Sequence, residues 1–315
     1  MAKYTLKRFA SALVTILFVI CVTFLLINSI PGGPWTSDKN PSKATVEALN
    51  EKYGLNKPPI VQLGKYLENL AKGDLGVSLK MQKNRPVAEI ILEKFPVSAG
   101  IGFFALLWSL IAGIFLGSLA ALKRGTWADS LIRVVCTVGV SMPSFVIASL
   151  LLTAFTGKDG TGGVFPVIFD FSLGFKSYIL PCFALGLYSM CYIARQTRAS
   201  MLDELSKDYI RTARAMGLSS FTVVFSQALK NAVIPVITFM GTDIALVFCG
   251  GFVVETVFSV PGLGRYFVQS IQNRDYPVIL GTTVFLAAFI ILMNFLADVL
   301  YKAVDPRIEL TKGDR

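Results

Sequence analysis

Apolar residues fall along the chain in long uninterrupted runs separated by polar stretches. The first run, Phe9 to Ile30, follows the basic residues Lys3, Lys7 and Arg8. It is longer than the apolar region of a secretory signal, and Asn28-Ser29-Ile30-Pro31 offers no small-residue cleavage site, so it reads as an uncleaved first helix. Pro31-Gly32-Gly33-Pro34 ends it, because proline supplies no backbone donor and glycine favours a turn. Five further runs, at 99–121, 134–156, 178–194, 232–254 and 278–300, can each cross about 30 Å of hydrocarbon, the one at 178–194 only just. The pattern predicts an all-α polytopic membrane protein with six transmembrane helices. Its expected divisions are an N-terminal helix over 1–33, a polar segment over 34–96, a five-helix core over 97–302 and a tail over 303–315.

Two polar stretches carry patterns of their own. In the first, Gly54-Leu55-Asn56-Lys57-Pro58-Pro59 predicts a turn, and Ile60, Leu63, Leu67 and Leu70 then recur at helical spacing. A further short amphipathic stretch, Val87 to Phe95, runs up to Pro96. In the second, Arg195 to Asn231, the apolar residues Leu202, Leu205, Tyr209, Ala213 and Met216 mark one helix face. Gly217 stands where a helix end calls for positive φ, and Ser219 or Ser220 can cap a second short helix through Phe221, Val224, Phe225 and Leu229. Pro235 opens the next span. The stretch therefore reads as two short helices joined at a glycine elbow. Such a knob suits a groove on another protein, or equally an amphipathic pair lying flat on lipid.

Composition agrees with the membrane reading. Of the 315 residues, 54% are hydrophobic and 16% charged, and the mean hydropathy is +0.62. A soluble domain of this size could not hide so much apolar surface. The net charge of +10 is then a question of sidedness. The N-terminus, the 122–133 loop, the 195–231 loop and the tail together hold sixteen Lys and Arg, against four in the two short opposite loops, Lys158, Lys176, Arg265 and Arg274. The 34–96 segment holds the other ten, but segments that long cross largely regardless of charge. Both termini are expected to be cytoplasmic. Cys21, Cys136, Cys182, Cys191 and Cys249 lie in apolar runs and read as small buried residues. Gly113-x-x-x-Gly117 reads as a surface for close helix packing. Glu255 and Asp298 fall at helix ends, whereas Asp243 sits mid-span, where a carboxylate costs at least about 2.5 kcal/mol and must face protein or a wet path. A helix–helix hydrogen bond and a place along a substrate path both fit it.

The elbow carries a resemblance. Tyr209-Ile210-Arg211-Thr212-Ala213-Arg214-Ala215-Met216-Gly217-Leu218-Ser219, with Asn231-Ala232-Val233-Ile234-Pro235-Val236, resembles the cytoplasmic EAA loop of ABC importer permeases, in particular the dipeptide/oligopeptide branch. Ala213 and Gly217 match the general pattern; Arg211 and Thr212 replace its Glu and first Ala, a departure that branch shares. The first helix through Pro34, the segment Tyr53 to Pro58, Val254-Glu255-Thr256-Val257-Phe258-Ser259-Val260-Pro261-Gly262-Leu263-Gly264, Asn273-Arg274-Asp275-Tyr276 and Asp305-Pro306-Arg307 are similar to the same branch. The resemblance implies a type I (MetI-like) importer fold in a bacterial inner membrane. It also implies a second homologous permease subunit, two ABC ATPases that hold the ATP and Mg, and an extracytoplasmic peptide-binding protein. Coupling to the ATPases would then rest on Tyr209, Ala213, Arg214, Ala215, Met216, Gly217 and Leu218. Ser141, Asp243 and Glu255 are candidates to line the path. The 34–96 segment would lie where the binding protein docks, or would cap the external mouth.

The chain is not expected to power transport with ATP by itself, and one mid-span carboxylate is thin support for ion coupling. It contains no G-x-x-x-x-G-K-[ST] phosphate loop, no G-x-S-x-G elbow and no histidine, so neither nucleotide chemistry nor the usual enzyme sites are expected, and no cofactor of its own. Nucleic acid is not expected as a partner. Oligopeptide is the expected cargo, with dipeptide or nickel as alternatives within the family and an ion-coupled secondary carrier as the alternative outside it.

Overall fold

In a computed structural model of the protein, the described residues are 2–30, 33–37, 47, 50, 51, 54–155 and 164–304. Pro31, Gly32, Tyr53, Lys158 and the tail from Asp305, with its Asp-Pro-Arg motif, lie outside them, as do the side chains of residues 2–9, Cys249 and Asp298. The described residues are helical almost throughout. Helices α1 (Ala2–Ser29), α2 (Pro59–Ala71), α3 (Val87–Leu122), α4 (Trp127–Ser141), α5 (Ser144–Phe155), α6 (Lys176–Leu205) and α7 (Asp208–Ala215) come first. A mixed turn follows: α-helical at Ser220–Thr222, π-helical at Val223–Ala228 and α-helical again at Leu229–Ala232. Then come α8 (Ile234–Val257), α9 (Leu263–Gln272) and α10 (Tyr276–Val304). Among the described residues the β pairing is one isolated bridge, Val77 with Pro86.

Among the described residues five helices are long and apolar enough to cross a membrane, and α4 with α5, bent by 110°, makes a sixth if the pair is one span. The continuous span expected at 134–156 is therefore broken. Pro143 supplies no N–H to the preceding turn, and Met142 before it is held extended at φ −88°, ψ 128°, as residues before proline prefer. Pro96 behaves differently. It lies inside α3, so the stretches expected separately at 87–95 and 99–121 form one helix of 36 residues, about 54 Å long. Large apolar side chains such as Leu13, Val14, Phe18, Ile111 and Phe115 are exposed along α1 and α3, which suits hydrocarbon and not water.

Backbone packing divides the chain into two compact units. The first comprises Met1–Val97 and Pro261–Leu292. Its core sets Phe24 and Ile27 of α1 on Ile279 and Leu280 of α10, with Leu63 and Tyr66 of α2 beside them. Gly281 is required here, since a Cβ would stand 2.6 Å from Val87 Cγ1. Arg274, at φ 56°, turns the chain between α9 and α10 and leaves Asp275 fully buried. The Asp275 carboxylate accepts from Ser78 Oγ at 2.6 Å and from the amides of Leu79, Lys80 and Met81 at 3.0 Å each. One side chain thus satisfies a whole turn 195 residues away in sequence.

The second unit comprises Ser98–Val260 and Met293–Arg315. Helix α6 packs against α4, α5 and α8. The Gly113 and Gly117 surface of α3 meets it closely: a Cβ at Gly113 would lie 2.7 Å from Ile193 Cγ2, and one at Gly117 2.6 Å from Thr197 Cβ. Small residues permit that approach, as expected. Cys136, Cys182 and Cys191 are buried in this unit. At the end of α8, Ser259 turns the chain at φ 54°, and the Val260 amide donates back to the Glu255 carbonyl at 2.8 Å.

Candidate functional site

The elbow is built from three short pieces. Helix α6 stops at Leu205, where Ser206 Oγ donates to the Asp203 carbonyl at 2.7 Å and Lys207 adopts an extended backbone. The first helix expected across 202–216 is therefore divided at 206–207, and α7 restarts in a new phase. That phase turns Ile210 and Ala213 inward, where they pack with Met201, Val223, Val224 and Ala228. Met216, expected on the packing face, is 76% exposed. Gly217 takes φ +79° with open space about its Cβ position, and Ser219 caps the next turn by accepting from the Thr222 amide at 3.2 Å. Both features agree with the sequence reading.

The π turn then resets the second piece. Val223 and Ala228, five residues apart, are both buried. In a regular α-helix they would be about 140° apart and could not share a face; the wider turn brings them together. The expected apolar face of Phe221, Val224, Phe225 and Leu229 is split as a result. Val224 packs inward with Leu229 against the core, while Phe221 (71% exposed) and Phe225 point outward with ring centroids 4.5 Å apart.

Of the coupling candidates, Ala213 is buried in the core of the elbow. Tyr209, Arg214, Ala215, Met216, Gly217 and Leu218 are on the surface. Phe221 and Phe225 join them; the α-helical spacing of the sequence concealed both. The elbow is braced by polar contacts. Tyr209 Oη donates to Glu204 Oε2 at 2.6 Å and accepts from Asn231 Nδ2 at 3.1 Å, and Lys207 Nζ lies 2.6 Å from Glu204 Oε1. Burial, then the Glu204 carboxylate, pushes the Tyr209 phenol above its ordinary value, so it keeps its donor proton. Behind the elbow, Arg198 grips the buried Asp129 with two hydrogen bonds, Nε to Oδ1 at 2.7 Å and Nη2 to Oδ2 at 2.9 Å. The Gly125 amide also donates to Oδ2, at 3.1 Å. This pair ties α4 to α6 immediately before the elbow, and no sequence pattern links residues 69 apart.

A cavity of about 360 Å³ lies at the α4–α5 bend. Ser141, Ser144, Tyr188, Ser189 and Asp243 line it together with apolar residues. Asp243 is 1% exposed and accepts from Ser189 Oγ at 2.8 Å through Oδ1. Its Oδ2 has no hydrogen-bond partner among the described residues. Asp243 thus makes the helix–helix hydrogen bond that one sequence reading expects, and it borders the cavity at the bend. Ser141 stands in the same cavity. Glu255 does not; it is buried twelve residues further along α8, about 18 Å away along the axis. Broken backbone at membrane depth is tolerated where it lines such a cavity.

Comparison with known proteins places the chain. Residues 113–310 match the profile of the family described as binding-protein-dependent transport system inner membrane component, and residues 1–102 match the corresponding N-terminal profile. The dipeptide transport system permease protein DppB of Bacillus subtilis is 41% identical over 312 residues, covering 99% of this chain and 99% of that protein. The glutathione transport system permease protein GsiC of Escherichia coli K12 is 37% identical over 310 residues, covering 98% and 99%. An inward-facing structure of the MetNI methionine ABC transporter aligns with a TM-score of 0.55 at 17% identity, covering 69% of this chain and 97% of that chain, which speaks to the fold alone.

Proposed function

This chain belongs to the family of binding-protein-dependent transport system inner membrane components, and from that premise we propose that it is one half of the translocation path of an ATP-driven peptide importer. Energy enters through the elbow. The observation that carries this reading is the outward set of Met216, Leu218, Phe221 and Phe225 on a rigidly braced knob: apolar anchors beside the charged Arg211 and Arg214 match a groove on a protein better than a flat lipid face. Two ATPase subunits, which carry the ATP and Mg, close on hydrolysable nucleotide and move the knob. Because α6 leads directly into it and α8 leads away, the stroke reaches the bundle and alternates access to the path. Nucleotide must favour the outward-open state over the inward-open one for the population to shift.

A second, similar permease subunit completes the path, and an extracytoplasmic binding protein delivers cargo to the side of residues 54–86. The termini and the elbow face the cytoplasm of a bacterium, in keeping with the sixteen basic residues on that side. The cargo is peptide, and the relatives named for dipeptides and glutathione favour short ones. Reconstitution tests the whole. Vesicles holding both permeases, the ATPases and the binding protein should accumulate peptide with ATP, while vesicles lacking the ATPases should only equilibrate it. Gly217→Pro should insert normally and abolish ATP-driven uptake. Uphill accumulation without the ATPases, or full uptake by Gly217→Pro, would refute the coupling role.

A further inference from the structure

The cavity at the α4–α5 bend holds an anomaly. Asp243 is almost completely buried, yet one carboxylate oxygen lacks a partner among the described residues. Buried acceptors of this kind are costly unless something satisfies them, and a carboxylate at membrane depth marks a functional position. The polar groups around it favour one kind of occupant. Ser141, Ser144 and Ser189 offer hydroxyl oxygens, Tyr188 offers a ring face and hydroxyl, and among the described residues no Lys or Arg lines the space. Acceptors and an aromatic face with no competing cation make a site for a cationic nitrogen. The volume of about 360 Å³ falls in the roughly 300–1,000 Å³ range of small-ligand sites.

We infer that this cavity is a way-station for the α-ammonium of a peptide in transit, with Asp243 as its counter-charge, Ser189 fixing the carboxylate and Tyr188 flanking the nitrogen. The inference rests on the peptide-importer reading and goes further by naming the part of the cargo that is gripped. Every unblocked peptide carries that group, whatever its sequence, so the station selects for a free N-terminus without selecting side chains. A lysine side chain offers the same charge and is separated from the α-ammonium in the test.

The test uses the complete reconstituted transporter and three probes: trialanine, N-acetyl-trialanine and N-acetyl-Ala-Lys-Ala. The readout is the ratio of uptake rates, so that selection by the binding protein, common to all variants, cancels. D243N is expected to lower the trialanine to N-acetyl-trialanine ratio about tenfold relative to wild type, the scale of a lost charged hydrogen bond, and D243E is expected to restore it. N-acetyl-Ala-Lys-Ala should follow the acetylated probe. If D243N fails to assemble, Tyr188→Leu carries the test and should lower the ratio about threefold. An unchanged ratio in the variant that assembles, or a D243E that behaves like D243N, overturns the inference. Equal loss for the lysine-containing probe transfers the grip to any cation and overturns the α-ammonium assignment. A wild-type transporter that moves none of the three probes removes the peptide reading itself, a different failure from an unaltered ratio.

Discussion

At the residue scale, isolated side chains decide whether the elbow is held or loose. Gly217 and Ser219 were legible in the sequence because their demands are local: one needs positive φ, the other a free amide three residues on. Asp129 was not legible, because its partner arrives from another helix. The carboxylate is 2% exposed and Arg198 21% exposed at the side chain, so removing the charge strands a half-buried guanidinium. Asp129→Asn should therefore destabilise the detergent-solubilised protein by about 3 kcal/mol, the lower end of the range for a broken buried pair, read as a fall in the thermal unfolding midpoint. Arg198→Lys should cost less, since a lysine keeps the charge and loses only the two-pronged geometry. Asp275 shows the same limit of sequence reading. Its motif stood out by resemblance, but the turn it satisfies at Ser78 to Met81 could be found only in three dimensions.

At the element scale, helix existence followed from apolar run length, and helix phase did not. The six apolar runs all became helices, yet the sequence could not say that Pro96 would be absorbed and Pro143 would bend the chain by 110°. Both prolines remove the same backbone donor, and only at Pro143 does the residue before it leave the helical region. The π turn at Val223–Ala228 is the other case. Its extra residue sends Phe221 and Phe225 outward where an α-helical wheel groups them with Val224. A π turn is an α-helix with one residue to spare, which gives an unusual expectation. Deleting the exposed Ser226 should make Val223 and Ala228 neighbours four apart, still on one face, and the ATPases should still co-purify with the permease. Inserting one alanine after Ser226 should instead throw the two out of register by about 100° and abolish co-purification. Loss of the ATPases on deletion and retention on insertion would mean that the turn does not set the phase of the knob.

At the scale of the whole molecule, the apolar exterior and the uneven placement of Lys and Arg make a directional prediction. A thiol at Lys72, on the end of α2, and one at Met216, on the elbow, should react from opposite faces of the membrane. In intact cells an impermeant reagent should label Lys72→Cys and leave Met216→Cys untouched until the cells are permeabilised; the described native cysteines, buried or half-buried, supply little background. Labelling of both from outside would invert or abolish the charge argument. The bend at Pro143 also has a consequence for how the chain is made. Helices α4 and α5 have 15 and 12 residues, about 22 and 18 Å, so neither alone bridges the hydrocarbon. An elongating polypeptide must hand this stretch to the bilayer before α6 and α8 exist to surround it. Lipid cannot satisfy the backbone groups a bend exposes, so the bend is expected to settle only once the later helices α6 and α8 surround it.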